Sequence, residues 1–173
     1  MKIAEPNVPT GPVVEDEPQL RDLFIFTAGN CTFGVPAEEV EGTAEAKFAT
    51  PLPHAPAPIL GVVYARGRMH TLIDPRVLAG DEASPRPQLI ASIISLRGDE
   101  QLALAAEAIA ETITISSSDI ELPPDPTDDP TDKEPFRGIA GILRHGGEEI
   151  IILDPARLFD AAVQRRDRRR RRF

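Results

Sequence analysis

The chain has no tryptophan, one tyrosine, two methionines and one cysteine in 173 residues, and these shortages remove whole classes of function. A lone Cys31 forms neither an internal disulfide nor a cysteine-based metal site, and in a strand-like run it reads as a buried, inert thiol. At 5% aromatics the sequence lacks the stacking platforms on which small β-folds hold single-stranded nucleic acid. No stretch approaches the roughly 20 apolar residues that span a bilayer. Met1 to Pro9 carry one basic residue with no apolar run behind it, neither a secretory signal nor an anchor, so the expected location is the cytoplasm.

Catalytic and cofactor motifs are missing too. His54, His70 and His145 are scattered singly, without the i, i+4 spacing of a helical metal pair, and read as surface or turn residues. There is no Gly-x-Ser-x-Gly elbow, and Ser116-Ser117-Ser118 has no basic partner beside it, which favours a solvated turn over a nucleophile. Neither Gly29 nor Gly67 opens a phosphate-binding loop. The expectation is a chain that is not an enzyme and needs no cofactor or metal.

What is present is strongly uneven in charge. The net charge is -9, yet residues 165–173 alone carry +6, from Arg165, Arg166, Arg168, Arg169, Arg170, Arg171 and Arg172 against Asp167, leaving -15 on residues 1–164. An acidic body repels nucleic acid and anionic lipid, whereas the tail attracts both. Nucleic-acid or membrane-surface binding through the tail is therefore one reading, with a steep salt dependence; a solvated tail is the other.

Residues 1–20, acidic and interrupted by Pro6, Pro9, Pro12 and Pro18, read as a disordered leader. From Leu23 the texture becomes short β-type runs: Leu23–Thr27, Thr32–Pro36, Ile59–Ala65, Met69–Ile73, Leu89–Leu96, Leu102–Ala106, Ile113–Ile115, Gly138–Arg144 and Glu149–Leu153. Turns fall at Gly29-Asn30, Arg66-Gly67-Arg68, Gly98-Asp99 and Gly146-Gly147. Val35–Val40 and Ala103–Glu111, rich in Ala and Glu, each read as a strand end followed by a short helical turn. Residues 121–135, with five prolines and six acids, read as an exposed loop.

An internal repeat organises these runs. Gly61–Leu78 and Gly141–Leu158 align at a constant offset of 80 without a gap, matching Gly67 with Gly147, Asp74-Pro75 with Asp154-Pro155 and Leu78 with Leu158. Each copy reads as strand, glycine turn, strand and helix start, because Asp caps the first turn and Pro at the next position loses no needed donor. A fainter match at an offset of 69 pairs Gly29 with Gly98, Phe33 with Leu102, Glu38 with Glu107 and Val40 with Ile109, with the acidic loop as an insertion in the second copy. The implied fold is all-β: two small barrels packed together, roughly residues 21–88 and 89–162, with helical segments after Asp74-Pro75 and Asp154-Pro155, and the tail at 163–173.

The order of residues resembles the CheW-like domain of bacterial chemosensory coupling proteins, over about Leu23 to Phe159. The resemblance rests on Leu23-Phe24-Ile25-Phe26, Phe33-Gly34-Val35-Pro36, Val40, Thr50-Pro51-Leu52-Pro53, Ile59-Leu60-Gly61-Val62-Val63-Tyr64-Ala65-Arg66-Gly67, Thr71-Leu72-Ile73-Asp74, Leu102–Ile115, Gly138-Ile139-Ala140-Gly141 and Ile151-Ile152-Leu153-Asp154. It implies two five-stranded barrels in a non-catalytic adaptor for bacterial chemotaxis signal transduction. The first barrel would bind the regulatory domain of a CheA-like histidine kinase, and the groove between barrels a chemoreceptor cytoplasmic tip. Contacts implied on matching positions are Val40, Gly61, Arg66 and Gly67 on the first barrel, and Ile109, Glu111 and Thr112 near the groove. Packing is the alternative role for Val40, Gly61 and Ile109. The family's Asn-Leu-Arg-Gly pattern stands here as Tyr64-Ala65-Arg66-Gly67, and its glutamate two positions after Val40 is replaced by Gly42, with Glu39 and Glu41 as the neighbouring carboxylates. A diverged scaffold for another pathway is the alternative function.

Overall fold

Strands form where aliphatic and β-branched runs are bounded by glycine turns that tolerate positive φ. The computed structural model describes residues 17–45, 48–81, 85–87, 90–123 and 138–164. The leader's residues 1–16, residues 124–135 of the acidic loop and the arginines from 165 onward lie outside the described residues. The strands are β1 (Leu20–Ala28), β2 (Cys31–Pro36), β3 (Val40–Glu45), β4 (Ile59–Ala65), β5 (Arg68–Ile73), β6 (Ser92–Leu96), β7 (Leu102–Ala106), β8 (Ala108–Ser116), β9 (Ile120–Glu121), β10 (Ile139–His145) and β11 (Glu148–Leu153). Helices α1 (Pro75–Leu78) and α2 (Pro155–Gln164) follow β5 and β11, each capped by the expected aspartate: Asp74 Oδ1 accepts from the Arg76 amide at 3.0 Å and Asp154 Oδ1 from the Ala156 amide at 3.1 Å.

The all-β expectation of two small packed units holds, but in place of two five-stranded barrels the strands form two sheets, six in the order β8-β1-β2-β11-β10-β9 and five in the order β3-β6-β7-β5-β4. The division at 88/89 does not. The five-stranded sheet takes β3, β4 and β5 from the first half and β6 and β7 from the second, while β1 and β2 join the strands that close the chain. The halves exchange their opening pair of strands. The antiparallel pairings of β1 with β8 and β3 with β6 join the halves, and two parallel joints do so as well: Thr71 opposite Leu102 between β5 and β7, and Ile151 opposite Phe33 between β11 and β2. Thr71 and Ile151 differ by the offset of 80, Phe33 and Leu102 by the offset of 69, so both repeats meet at each parallel joint.

Burial repeats as well. Ile59 and Ile139, Ile73 and Leu153, and Leu78 and Leu158 enter one core between the sheets, where the rings of Phe26 and Phe33 stack at 5.5 Å. Val63 and Leu72 pack in a second cluster on the other face of the five-stranded sheet, and their counterparts Leu143 and Ile152 in a third on the six-stranded sheet. A bulge falls at the same place in both hairpins, between Ile59 and Gly61 and between Ile139 and Gly141. There a neighbouring edge comes close: a Cβ on Gly61, which sits at φ 147°, would run into the Thr50 carbonyl, and one on Gly141 would lie 2.7 Å from the Glu121 carbonyl oxygen.

Several expectations are corrected. Residues 107–111 are not a helical turn: β8 runs from Ala108 and pairs with β1, Ile109 opposite Phe26 and Thr112 opposite Phe24, because sheet partners and its Ile and Thr residues outweigh the helix preference of Ala and Glu. Strand β3, rich in Glu, Gly and Ala, had no pattern signal and forms by pairing with β6. The leader ends earlier than residue 20, since Leu20 opens β1 and the Gln19 carbonyl accepts from the Ser117 amide at 2.9 Å. The acidic loop likewise begins later, because Glu121 belongs to β9. His70 is no surface residue; it is 1% exposed within β5. Cys31 is half-buried, and burial pushes its thiol pKa up.

A buried ion pair at the start of α1 lies against the other sheet. Arg76 Nη2 and Nε donate to both carboxylate oxygens of Asp74, at 2.8 and 3.0 Å, which pushes the guanidinium pKa further up. Its Cδ lies 2.8 Å from where a Cβ on Gly29 would stand, so α1 is seated on the β1–β2 turn of the other sheet.

Two outcomes follow. Separated halves cut between residues 81 and 90 each lack the partners of their exchanged strands; circular dichroism should show neither folded alone and a β spectrum on mixing, and two independently folding halves would contradict the exchange. In urea unfolding, Gly61→Ala and Gly141→Ala should each lose about 2–4 kcal/mol through strain or collision. Gly146→Ala, with open space around it at φ 60°, should lose only about 1 kcal/mol.

Candidate functional site

The β4–β5 hairpin closes in two residues, Ala65 standing opposite Arg68. Arg66 at φ 53° and Gly67 at φ 79° both adopt the left-handed conformation that such a turn requires. Arginine there costs about 1–2 kcal/mol that glycine avoids. The β10–β11 hairpin makes the same turn with Gly146 at φ 60° and Gly147 at φ 85°.

Arg66 extends from this tip over Gly42 of β3. A Cβ added at Gly42 would lie 2.6 Å from Arg66 Cζ and 3.0 Å from its Nε. β3 and β4 are the opposite edges of the five-stranded sheet, so a contact between them means that the sheet curls around its own cluster. Ser95 lies opposite Gly42 and therefore faces the same side. It is fully buried, and its Oγ has no hydrogen-bond partner; neither ring nitrogen of His70 has one. Among the described residues no ion pair involves Arg66. Glu41 stands 3.7 Å from Arg68 instead, and Glu39 uses its backbone carbonyl to accept from the Arg97 amide at 2.8 Å.

Of the other expected first-barrel positions, Val40 is half-buried against the core between the sheets, Gly61 is buried beneath Thr50, and Gly67 is exposed with open space around it. Ile109, Glu111 and Thr112 are exposed along β8, an edge strand of the six-stranded sheet. The structure thus brings Val40 and Arg66 to one sheet, on either side of Gly42, and leaves the β8 residues on the other.

Sequence reasoning missed Tyr64 and Met69, which stand opposite each other on the outer face of the hairpin, 71% and 53% exposed. The signal was there in the alternation of β4, where Val63 and Ala65 point inward and Tyr64 must point out. Phe48, 72% exposed, was missed as well. A cleft of about 370 Å³ lies elsewhere, between the β6–β7 connection and the start of α2, lined by Glu39, Arg97, Asp99, Glu100, Pro155 and Ala156. Among the described residues there is no cluster of side chains suited to a metal, and no helix long and apolar enough to cross a membrane. The arrangement offers aromatic, aliphatic and arginine side chains on an exposed hairpin, the composition by which proteins dock on one another.

Comparison with known proteins bears on the family and the fold. The family model described as CheW-like domain matches residues 22–163. The chain is 30% identical over 105 residues, 61% of its length and 68% of the relative's, to the Chemotaxis protein CheW of Rhizobium meliloti (strain 1021). It is 30% identical over 150 residues, 84% and 89% of the two lengths, to Protein FrzA of Myxococcus xanthus. The crystal structure of the scaffolding protein TtCheW from Thermoanaerobacter tengcongensis has the same fold, with a TM-score of 0.61 at 23% identity over 80% of this chain and 90% of that one. With its two exchanged sheets and its match to the family model over nearly the whole described region, the chain belongs to the CheW-like domain family.

Proposed function

We propose that the chain is a non-catalytic adaptor that couples a CheA-like histidine kinase to chemoreceptor tips in the cytoplasm. The observation that carries the reading is the β4–β5 hairpin, where Tyr64, Met69 and Arg66 are exposed at one edge of the five-stranded sheet. This face would take the regulatory domain of the kinase, with Val40, Gly61 and Gly67 shaping the strands and turn behind it. Edge strand β8, with Ile109, Glu111 and Thr112 exposed, would contribute to the receptor contact. Its main-chain groups beyond β1 are open to an added partner. Two separate faces on one small protein are what coupling two partners requires, and neither needs a reacting group.

The reading is tested by calorimetric titration of the full chain with the purified regulatory domain of the kinase encoded beside its gene and with a soluble receptor-tip fragment. Both should bind, and together. Tyr64→Ala with Met69→Ala should weaken the kinase domain about tenfold or more and spare the receptor fragment, whereas Ile109→Lys should do the reverse. Absence of binding to either partner would overturn the reading.

A further inference from the structure

We propose that the docked partner supplies a carboxylate to Arg66 in the notch above Gly42, and that this pair selects the partner. The inference rests on the reading of the hairpin as a docking face for the kinase domain and names the chemistry that face demands. Arg66 occupies a left-handed position that its counterpart Gly146 fills without strain, so the side chain is kept at a cost to the fold. Its guanidinium lies on the bare backbone of Gly42, with no ion pair among the described residues, although the body of the chain is strongly acidic. The nearest carboxylate on β3, Glu41, faces Arg68.

A second observation points the same way. Ser95, opposite Gly42 and facing the same side, is 0% exposed and its Oγ finds no acceptor. An exposed guanidinium with no ion pair among the described residues and a buried hydroxyl without a partner flank the one position on β3 that has no side chain. The missing group is an acceptor, and a carboxylate satisfies a guanidinium with two parallel hydrogen bonds. An aspartate or glutamate on a protein surface fits it, beside a hairpin whose outer face carries the exposed Tyr64 and Met69.

The full chain is titrated with the purified kinase regulatory domain at two salt concentrations. Gly42→Glu gives Arg66 an internal partner and should weaken binding about tenfold and flatten its salt dependence. Gly42→Gln, of equal size and no charge, should weaken it less. Arg66→Glu should weaken it about a hundredfold, and replacement of one acidic residue of the kinase domain by lysine should restore it. Thermal unfolding of each variant shows whether it is folded. Equal binding by wild type, Arg66→Glu and Gly42→Glu, while Tyr64→Ala still weakens, would overturn the carboxylate and leave the docking face standing. A wild-type chain that does not bind the kinase domain at all would overturn both.

Discussion

The fold hangs on four strand pairings between the halves, the parallel β5–β7 and β11–β2 and the antiparallel β1–β8 and β3–β6. Each joins a strand from one half of the chain to a strand from the other, so neither sheet exists until both halves are present. The central core is filled from both halves for the same reason: Phe26, Phe33, Ile59 and Ile73 meet Ile94, Leu104, Leu153 and Leu158 there. Non-local joints of this kind form late and at a high loop-closure cost, but once formed they make the molecule cooperative. The buried Asp74–Arg76 pair works within that frame, holding α1 against a turn of the opposite sheet. The second copy has no such anchor, since Arg157 beside Asp154 is largely exposed and an exposed pair contributes little.

The internal repeat holds two copies of one hairpin, alike at the bulge and different at the tip. Both need the bulge and the glycine that lets an edge strand approach, which is why Gly61 and Gly141 coincide. At the tip the copies part: Gly146 relaxes the turn, while Arg66 carries a charged side chain across the mouth of the curled sheet to Gly42. Structural need is common to both copies, and the tip is where they differ.

Much of this was legible before folding. The turns and most strands showed as glycines between apolar runs, and Asp-Pro announced both helices through local capping alone. β3 and β8 were harder, because Glu, Ala and Gly carry weak strand preference and only a neighbouring strand recruits them. His70 and Ser95 gave no sign that they would be buried unpartnered, since isolated polar residues in sequence look like solvent-facing ones. Arg66 was recognisable by its place in the turn, whereas its position over Gly42 joins residues that are remote along the chain.

The sequence by itself determined what depends on near neighbours: all-β texture, turn positions, helix caps and an internal repeat whose offsets recur in both sheets. Only the tertiary structure decided which half each strand would serve. Within one half the same hydrogen-bonding edges could have paired at home, and the choice of exchange lies in how the shared core packs. It also decided that Glu41 faces Arg68, leaving Arg66 above Gly42 without an ion pair among the described residues, because that outcome depends on the curl of a sheet and not on the spacing of residues.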